Sequence, residues 1–254
     1  MDMDFRFQMI DKRLKQIDKV LLIVSGKGGV GKSVIAATLA NFVSNMELVG
    51  LLDLDMHGPT LPFLLNHSGR FRGKEGGVEP VMAGKVKLVS LGLVTGEKPM
   101  PLKGEVKRDL IVETLSEIDW ERLNYLILDL PPGTGDEVLT AIRLTIMKSS
   151  AILVSTPSPH SLGAVKRMLG LLVDEGVDVT GLVLNMAYIA DETHRVVMPF
   201  GKYNLQEIEE AIGVKVIAEL PLEPEIASST PINMAKLSSE FLKGLGNIYR
   251  AVEE

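Results

Sequence analysis

Ser25-Gly26-Lys27-Gly28-Gly29-Val30-Gly31-Lys32-Ser33 is the stretch on which the rest of the chain is read. It contains G-x-x-x-x-G-K-S, a phosphate-loop pattern. An apolar run, Val20-Leu21-Leu22-Ile23-Val24, stands directly before it, and helical spacing follows over residues 33–45. Strand, loop and helix in that order are the context the pattern requires. The glycines let backbone N–H groups turn inward onto phosphate oxygens. Lys32 brings positive charge to the β and γ phosphates, and the Ser33 hydroxyl suits Mg²⁺. The helix adds its positive N-terminal end. Gly26, Lys27, Gly28, Gly29, Val30, Gly31, Lys32 and Ser33 are therefore the expected nucleotide-binding residues.

Outward from the loop, short apolar runs recur. After residues 20–24 come 48–52, 86–89, 125–128, 151–154, 181–184 and 215–218. Several are apolar at consecutive positions, as in a strand buried on both faces of a parallel sheet. Helical spacing separates them at 34–43, 106–118 and 161–172. This alternation predicts an α/β fold, a doubly wound, mostly parallel sheet of about seven strands with helices on both faces. No linker divides the chain, so residues 1–254 are expected to form one P-loop domain, with 1–19 a helical extension and 233–254 a C-terminal helix. Within the extension, residues 9–17 read as a short amphipathic helix. Leu237, Phe241, Leu245, Ile248 and Val252 fall on one helical face and read as core. The Gly-rich stretch 69–77 reads as a surface loop.

Composition narrows the function classes. Lys plus Arg is 27 and Asp plus Glu 33, a net charge of −6, which argues against broad nucleic-acid binding. There are no cysteines, which excludes disulfides, a thiol nucleophile, and any zinc site or iron–sulfur cluster on this chain's own thiolates. That fits a reducing cytosol. The polar start, residues 1–20, is no signal peptide, and the apolar runs of about five residues fall far short of the roughly 20 a membrane span needs. The four histidines are scattered without zinc spacing, and no G-x-S-x-G elbow is present. Met56 and Met100 read as packing residues.

Two acidic segments close apolar runs. Asp53-Leu54-Asp55-Met56-His57-Gly58-Pro59-Thr60 follows the second run, and carboxylates at a strand's carboxyl end lie where open α/β sheets bind ligands. Asp53 and Asp55, two apart, leave an extended chain on one face and reach one site at different depths. One can support the Mg²⁺ shell while the other faces the attacking water. Asp129-Leu130-Pro131-Pro132-Gly133-Thr134-Gly135-Asp136 follows the fourth run. Asp129 has the position of a Walker B acid and is expected to reach Mg²⁺ directly or through water. Pro131 and Pro132 stiffen the exit, and Gly133 has no side chain to keep it from a γ-phosphate. With Gly58 and Pro59, these residues are expected to switch on hydrolysis.

The form K-G-G-x-G-K-[ST] at Lys27 to Ser33 resembles the deviant Walker A ATPases, among them MinD, ParA and the nitrogenase iron protein. D-L-P-P-G-T-G-D at 129–136 is similar to the Mrp (ApbC-type) cluster-carrier branch. So are Gly58-Pro59-Thr60 with Pro62, Ile118-Asp119-Trp120, Leu184-Asn185-Met186, Phe200-Gly201-Lys202, and 220–226. Ser155-Thr156-Pro157 is similar to the family's T-T-P segment near the nucleotide. The resemblance implies ATP as the ligand and a face-to-face homodimer in which Lys27 touches the partner's nucleotide. It also implies slow, Mg²⁺-dependent hydrolysis in which Asp55 orients water and Lys27 and Lys32 balance charge, with Ser33, Asp53 and Asp129 around the metal. Asn185 would hydrogen-bond the adenine, and Pro221 and Leu222 would line the base pocket.

The family's bridging [4Fe–4S] cluster sits on a C-x-x-C pair between the N-M and F-G motifs. Here that interval, residues 187–199, holds no cysteine, and Asp191, Glu192 and His194 read as a solvated loop. The expected activity is thus a cytoplasmic ATPase switch of the Mrp class without a self-ligated cluster, acting on an unidentified protein partner or apoprotein client. An alternative is a nucleotide-gated adaptor or assembly factor. A further alternative, a MinD-like membrane-surface ATPase, is opposed by the acidic end Glu253-Glu254.

Overall fold

The computed structural model describes residues 3–56, 60–67, 72–74, 77–91, 104–190 and 196–254. The apolar runs are continuous because the strands they form are covered on both faces. In β1 (Ile17–Val24), Val20, Leu22 and Val24 enter one core layer, and Leu21 and Ile23 the opposite one. In β7 (Leu123–Asp129), Leu126 and Leu128 face the first layer, Tyr125 and Ile127 the second. This is the two-residue alternation of a strand with both sides buried.

The seven runs are seven parallel strands. β2 (Val49–Asp53), β6 (Val86–Ser90), β8 (Ser149–Ser155), β9 (Asp178–Ala190) and β11 (Val216–Pro221) join β1 and β7 in the order β11–β9–β8–β1–β7–β2–β6. Two short antiparallel strands extend this sheet: β5 (Val81–Ala83) pairs with β6, and β10 (Val196–Val197) with β9. A separate hairpin joins β3 (Arg72–Lys74) to β4 (Gly77–Glu79). The expected loop at 69–77 is corrected on this point, because 72–74 and Gly77 are strand; strands of three residues are too short to show a period. Residues 68–71, 75 and 76 lie outside the described residues.

Helices cover both faces. α2 (Lys32–Val43) and the last helix, α9 (Ser239–Glu253), pack on one side. α4 (Gly104–Glu117), α5 (Asp136–Thr145) and α6 (Pro159–Asp174) pack on the other. Three shorter helices are α3 (Leu61–Leu64), α7 (Leu205–Ile212) and α8 (Pro224–Ser228). Phe241, Leu245, Ile248 and Val252 are buried along α9 as expected. Leu237 is buried as well, although it precedes the Ser238 cap, whose hydroxyl accepts from the Phe241 N–H. The N-terminal helix differs from the periodic reading. α1 spans Met3–Leu14 and packs on α4, while Ile17 opens β1 opposite Leu123. Sheet pairing outweighs helical spacing at that residue.

β1 lies in the middle of the sheet. The chain moves outward through β2 and β6, then returns to set β7 between β1 and β2, and β8 on the far side of β1. That reversal opens a crevice beyond the carboxyl ends of the central strands.

Candidate nucleotide site

The phosphate loop leaves β1 into this crevice, and its glycines differ in what they supply. Gly29 and Gly31 have φ of 78° and 84°, the left-handed region that side chains disfavour. Gly31 caps α2, its carbonyl accepting from the Ile35 N–H at 3.0 Å. Gly26 is required by contact: a Cβ there would lie 2.2 Å from the Ala164 carbonyl carbon and oxygen in α6. Gly26→Ala is therefore expected to lose about 1–3 kcal/mol of stability and to displace the loop. A thermal melt checks this, and an unchanged midpoint would contradict the packing. The Ser25 hydroxyl donates to the Lys27 carbonyl at 3.0 Å, and the Gly133 N–H donates to the Ser25 carbonyl at 3.0 Å. The Pro-Pro-Gly exit of β7 is thus tied to the start of the loop. Between them lies a cleft of about 280 Å³ lined by Lys27, Gly29, Lys32, Ser33, Asp55 and Pro132, among others.

The floor of this cleft gathers buried titratable groups. Asp53 and Asp129 are cross-strand neighbours at the ends of β2 and β7, both fully buried. Lys32 is buried above them, with Nζ 2.5 Å from Asp129 Oδ1 and 3.5 Å from Ser33 Oγ. Burial pushes the Asp129 carboxyl above its ordinary value, opposed by Lys32 and the Ser33 hydroxyl. Asp53 rises to about 8, through burial first and the Asp129 charge second. Its Oδ1 accepts from the Asp55 N–H and its Oδ2 from the Ser90 hydroxyl, both at 3.0 Å. Asp129 Oδ2, by contrast, is buried with no hydrogen-bond partner. The open Asp129 oxygen and the adjacent Ser33 hydroxyl are hard oxygen donors, and that donor chemistry fits Mg²⁺.

The motif residues take distinct places. Asp55 lies just past the end of β2, half-buried in the cleft wall, while Asp53 sits behind it, so the pair reaches the site at two depths. Both oxygens of Asp53 are engaged, so the open oxygen belongs to Asp129. Lys27 is exposed at the mouth. Pro131 is buried, Pro132 lines the cleft and Gly133 has φ of 87°. Asn185 is buried, and its Nδ2 donates to the Val30 carbonyl at 2.9 Å. Pro221 pairs beside Tyr188 on β9, and the Leu222 N–H donates to the Tyr188 carbonyl at 2.7 Å. This sets both beside Tyr188, three residues beyond Asn185 on β9, and neither lines the phosphate cleft. Gly58, Pro59, Met100, Asp191, Glu192 and His194 lie outside the described residues.

Sequence reasoning gives no site role to Ser90, Ser25 or Thr60. Ser90 ends the run 86–89 opposite Asp53, and a polar residue closing an apolar strand was the available signal. Thr60 lines the cleft. The Ser155-Thr156-Pro157 segment leads into hydroxyls of Thr156, Ser158 and Ser161 bonded to one another at 2.8–3.2 Å, around the cap of the α6 helix that backs Gly26.

A family profile described as ParA: NUBPL iron-transfer P-loop NTPase matches residues 16–252. The chain belongs to this NUBPL family of P-loop NTPases. Among relatives in curated collections, it is 31% identical over 264 residues to the iron-sulfur cluster carrier protein of Saccharolobus solfataricus, covering 98% of this chain and 88% of that one. It is 34% identical over 227 residues to the cytosolic Fe-S cluster assembly factor NUBP2 of Bos taurus, covering 85% and 83%. The fold agrees with membership. The nucleotide-binding protein of Archaeoglobus fulgidus, solved in complex with ADP, superposes with a TM-score of 0.74 at 29% identity, covering 97% of this chain and 93% of that one. The cell-division ATPase MinD of Pyrococcus furiosus shares the fold with a TM-score of 0.68 at 21% identity, covering 93% and 98%. The resemblance to the iron–sulfur cluster carriers is thereby shown, for a NUBPL-family chain whose sequence has no cysteine.

Proposed function

We propose that this chain is an ATP-binding, slowly ATP-hydrolysing homodimeric switch of the iron–sulfur carrier family that holds no cluster on cysteines of its own. The observation that carries the ATP half is the buried Lys32–Asp129 pair beneath a glycine loop, with Asp129 Oδ2 left open. In this reading the loop N–H groups and Lys32 hold the β and γ phosphates. Ser33 and Asp129 would hold Mg²⁺, with Asp53 behind them fixing the Asp55 turn; the ion, when bound, offsets phosphate charge. Asp55, on the cleft wall, orients the attacking water. Exposed Lys27 crosses to a second copy and touches its phosphates. Pro132 and Gly133, tied to Ser25, report whether the γ-phosphate is present, together with Gly58 and Pro59 on the other side. Asn185 faces the adenine, with Pro221 and Leu222 beside it. We place the switch in the cytoplasm, in keeping with a cysteine-free chain with no helix among the described residues long and apolar enough to cross a membrane.

The missing cysteines favour a second reading, in which ATP selects a protein partner and no cluster is carried. Anaerobic reconstitution with iron and sulfide, alone and with ATP and Mg²⁺, tests the second reading. The expected result is no stoichiometric cluster with hydrolysis intact, which directs the search to a partner or client that brings its own thiols. A stable stoichiometric cluster on this chain alone would mean non-cysteine ligation and would overturn the second reading. Capture of partners with ATP against ADP then tests gating. Liposome sedimentation with ATP tests the membrane-surface alternative, and no sedimentation is expected.

A further inference from the structure

Asn185 makes a contact that base recognition does not require. It stands on β9, buried to 4% exposure, 155 residues along the chain from Val30. Its side-chain amide meets the Val30 carbonyl at 2.9 Å. A carbonyl can only accept, so the amide nitrogen faces the loop. The contact is close on the next residue too: a Cβ on Gly31 would fall 2.1 Å from Asn185 Nδ2. Gly31 is the left-handed residue at which the loop ends and α2 begins. The strand around Asn185 is also irregular. Met186, the next residue, has φ of 53°, unusual for a side-chain-bearing residue. The pairing of β9 with β11 shifts register between Glu219 and Pro221. Departures of this kind persist where the surroundings hold a side chain in one place.

We infer that Asn185 is a positioning residue for the phosphate loop, holding the loop backbone at Val30 and Gly31 in the shape that receives a triphosphate. The inference rests on the nucleotide reading of the site and adds to it. One amide hydrogen is spent on the loop, and the other hydrogen and Oδ1 remain for a base. A single side chain then links the loop to the strand end that carries the base side of the site. Phosphate affinity depends on it even when no base is present.

Inorganic tripolyphosphate with Mg²⁺ is the deciding probe, because it carries the phosphates and no base. Asn185→Ala leaves the buried Val30 carbonyl unpaired and frees the loop. It is expected to weaken tripolyphosphate and ATP by the same factor, about tenfold, while the variant stays folded at the assay temperature. Loss of ATP affinity with tripolyphosphate binding unchanged would overturn the inference and leave Asn185 as a base reader alone. Failure of the wild-type protein to bind either ligand would instead overturn the nucleotide reading. Asn185→Asp keeps the shape and removes the donor, and carries the same test if Asn185→Ala does not fold. The wild-type chain gives an independent readout. The Asn185 side-chain amide resonance is expected to be protected from exchange and to shift on adding tripolyphosphate. An exposed, unshifted resonance would overturn the inference.

Discussion

Lys32→Ala is expected to weaken ATP binding by at least about a hundredfold, some 2.7 kcal/mol. Two losses coincide. The phosphates lose a buried cation at the point where charge-assisted hydrogen bonds are strongest. The floor of the cleft also loses its counter-charge, since Lys32 is the ammonium 2.5 Å from Asp129 Oδ1 and its charge also favours the ionised Asp53 carboxyl. Breaking a buried pair by removing one partner costs about 3–5 kcal/mol, less whatever Asp129 recovers by taking a proton. The melting midpoint should therefore fall along with affinity. The double variant Lys32→Ala/Asp129→Asn separates the two effects. It removes the uncompensated charge, so stability should return while ATP binding stays lost. Calorimetric titration and thermal melts read both quantities. A Lys32→Ala protein that binds ATP within threefold of wild type would remove Lys32 from the phosphate site.

Asp55→Asn is expected to act on the rate and spare the affinity. Asp55 is half-buried on the cleft wall, and its contact with Asp53 is made by its backbone N–H, which the substitution keeps. Folding should be nearly unaffected. The carboxylate that orients water is lost, and groups in that role contribute about 10²–10⁴ in rate. Phosphate release should fall by at least about a hundredfold with the ATP dissociation constant within threefold of wild type. Hydrolysis at the wild-type rate would take the water-orienting role from Asp55.

Much of the fold was legible because parallel strands buried on both faces write themselves as unbroken apolar runs. All seven such runs became strands, from 20–24 in β1 to 215–218 at β11. What escaped had no such signature. β5 and β10 are three and two residues long, too short to show a period, and join the sheet by edge pairing. Ile17 fitted a helical stripe until its pairing with Leu123 decided otherwise. In the site, the phosphate loop and the two acidic segments were readable because their residue types sit at strand ends. The relations between segments were not. The Gly26 contact with Ala164, the Ser90 hydroxyl on Asp53 and the Asn185 amide on Val30 join residues far apart in the chain. No local pattern encodes them. The separation of the D-x-D pair into a buried, doubly bonded Asp53 and a cleft-facing Asp55 likewise depends on β2 ending at Asp53.

Central to the proposed switch is the closure of two copies of this chain across the nucleotide face by ATP. The most direct measurement is the solution mass of Asp55→Asn with Mg²⁺ and either ATP or ADP, since that variant should hold ATP unhydrolysed. A dimer is expected in ATP and a monomer of 27.6 kDa in ADP, with the ATP-bound dimer lost when Lys27→Ala is added. The same mass in both nucleotides would contradict it.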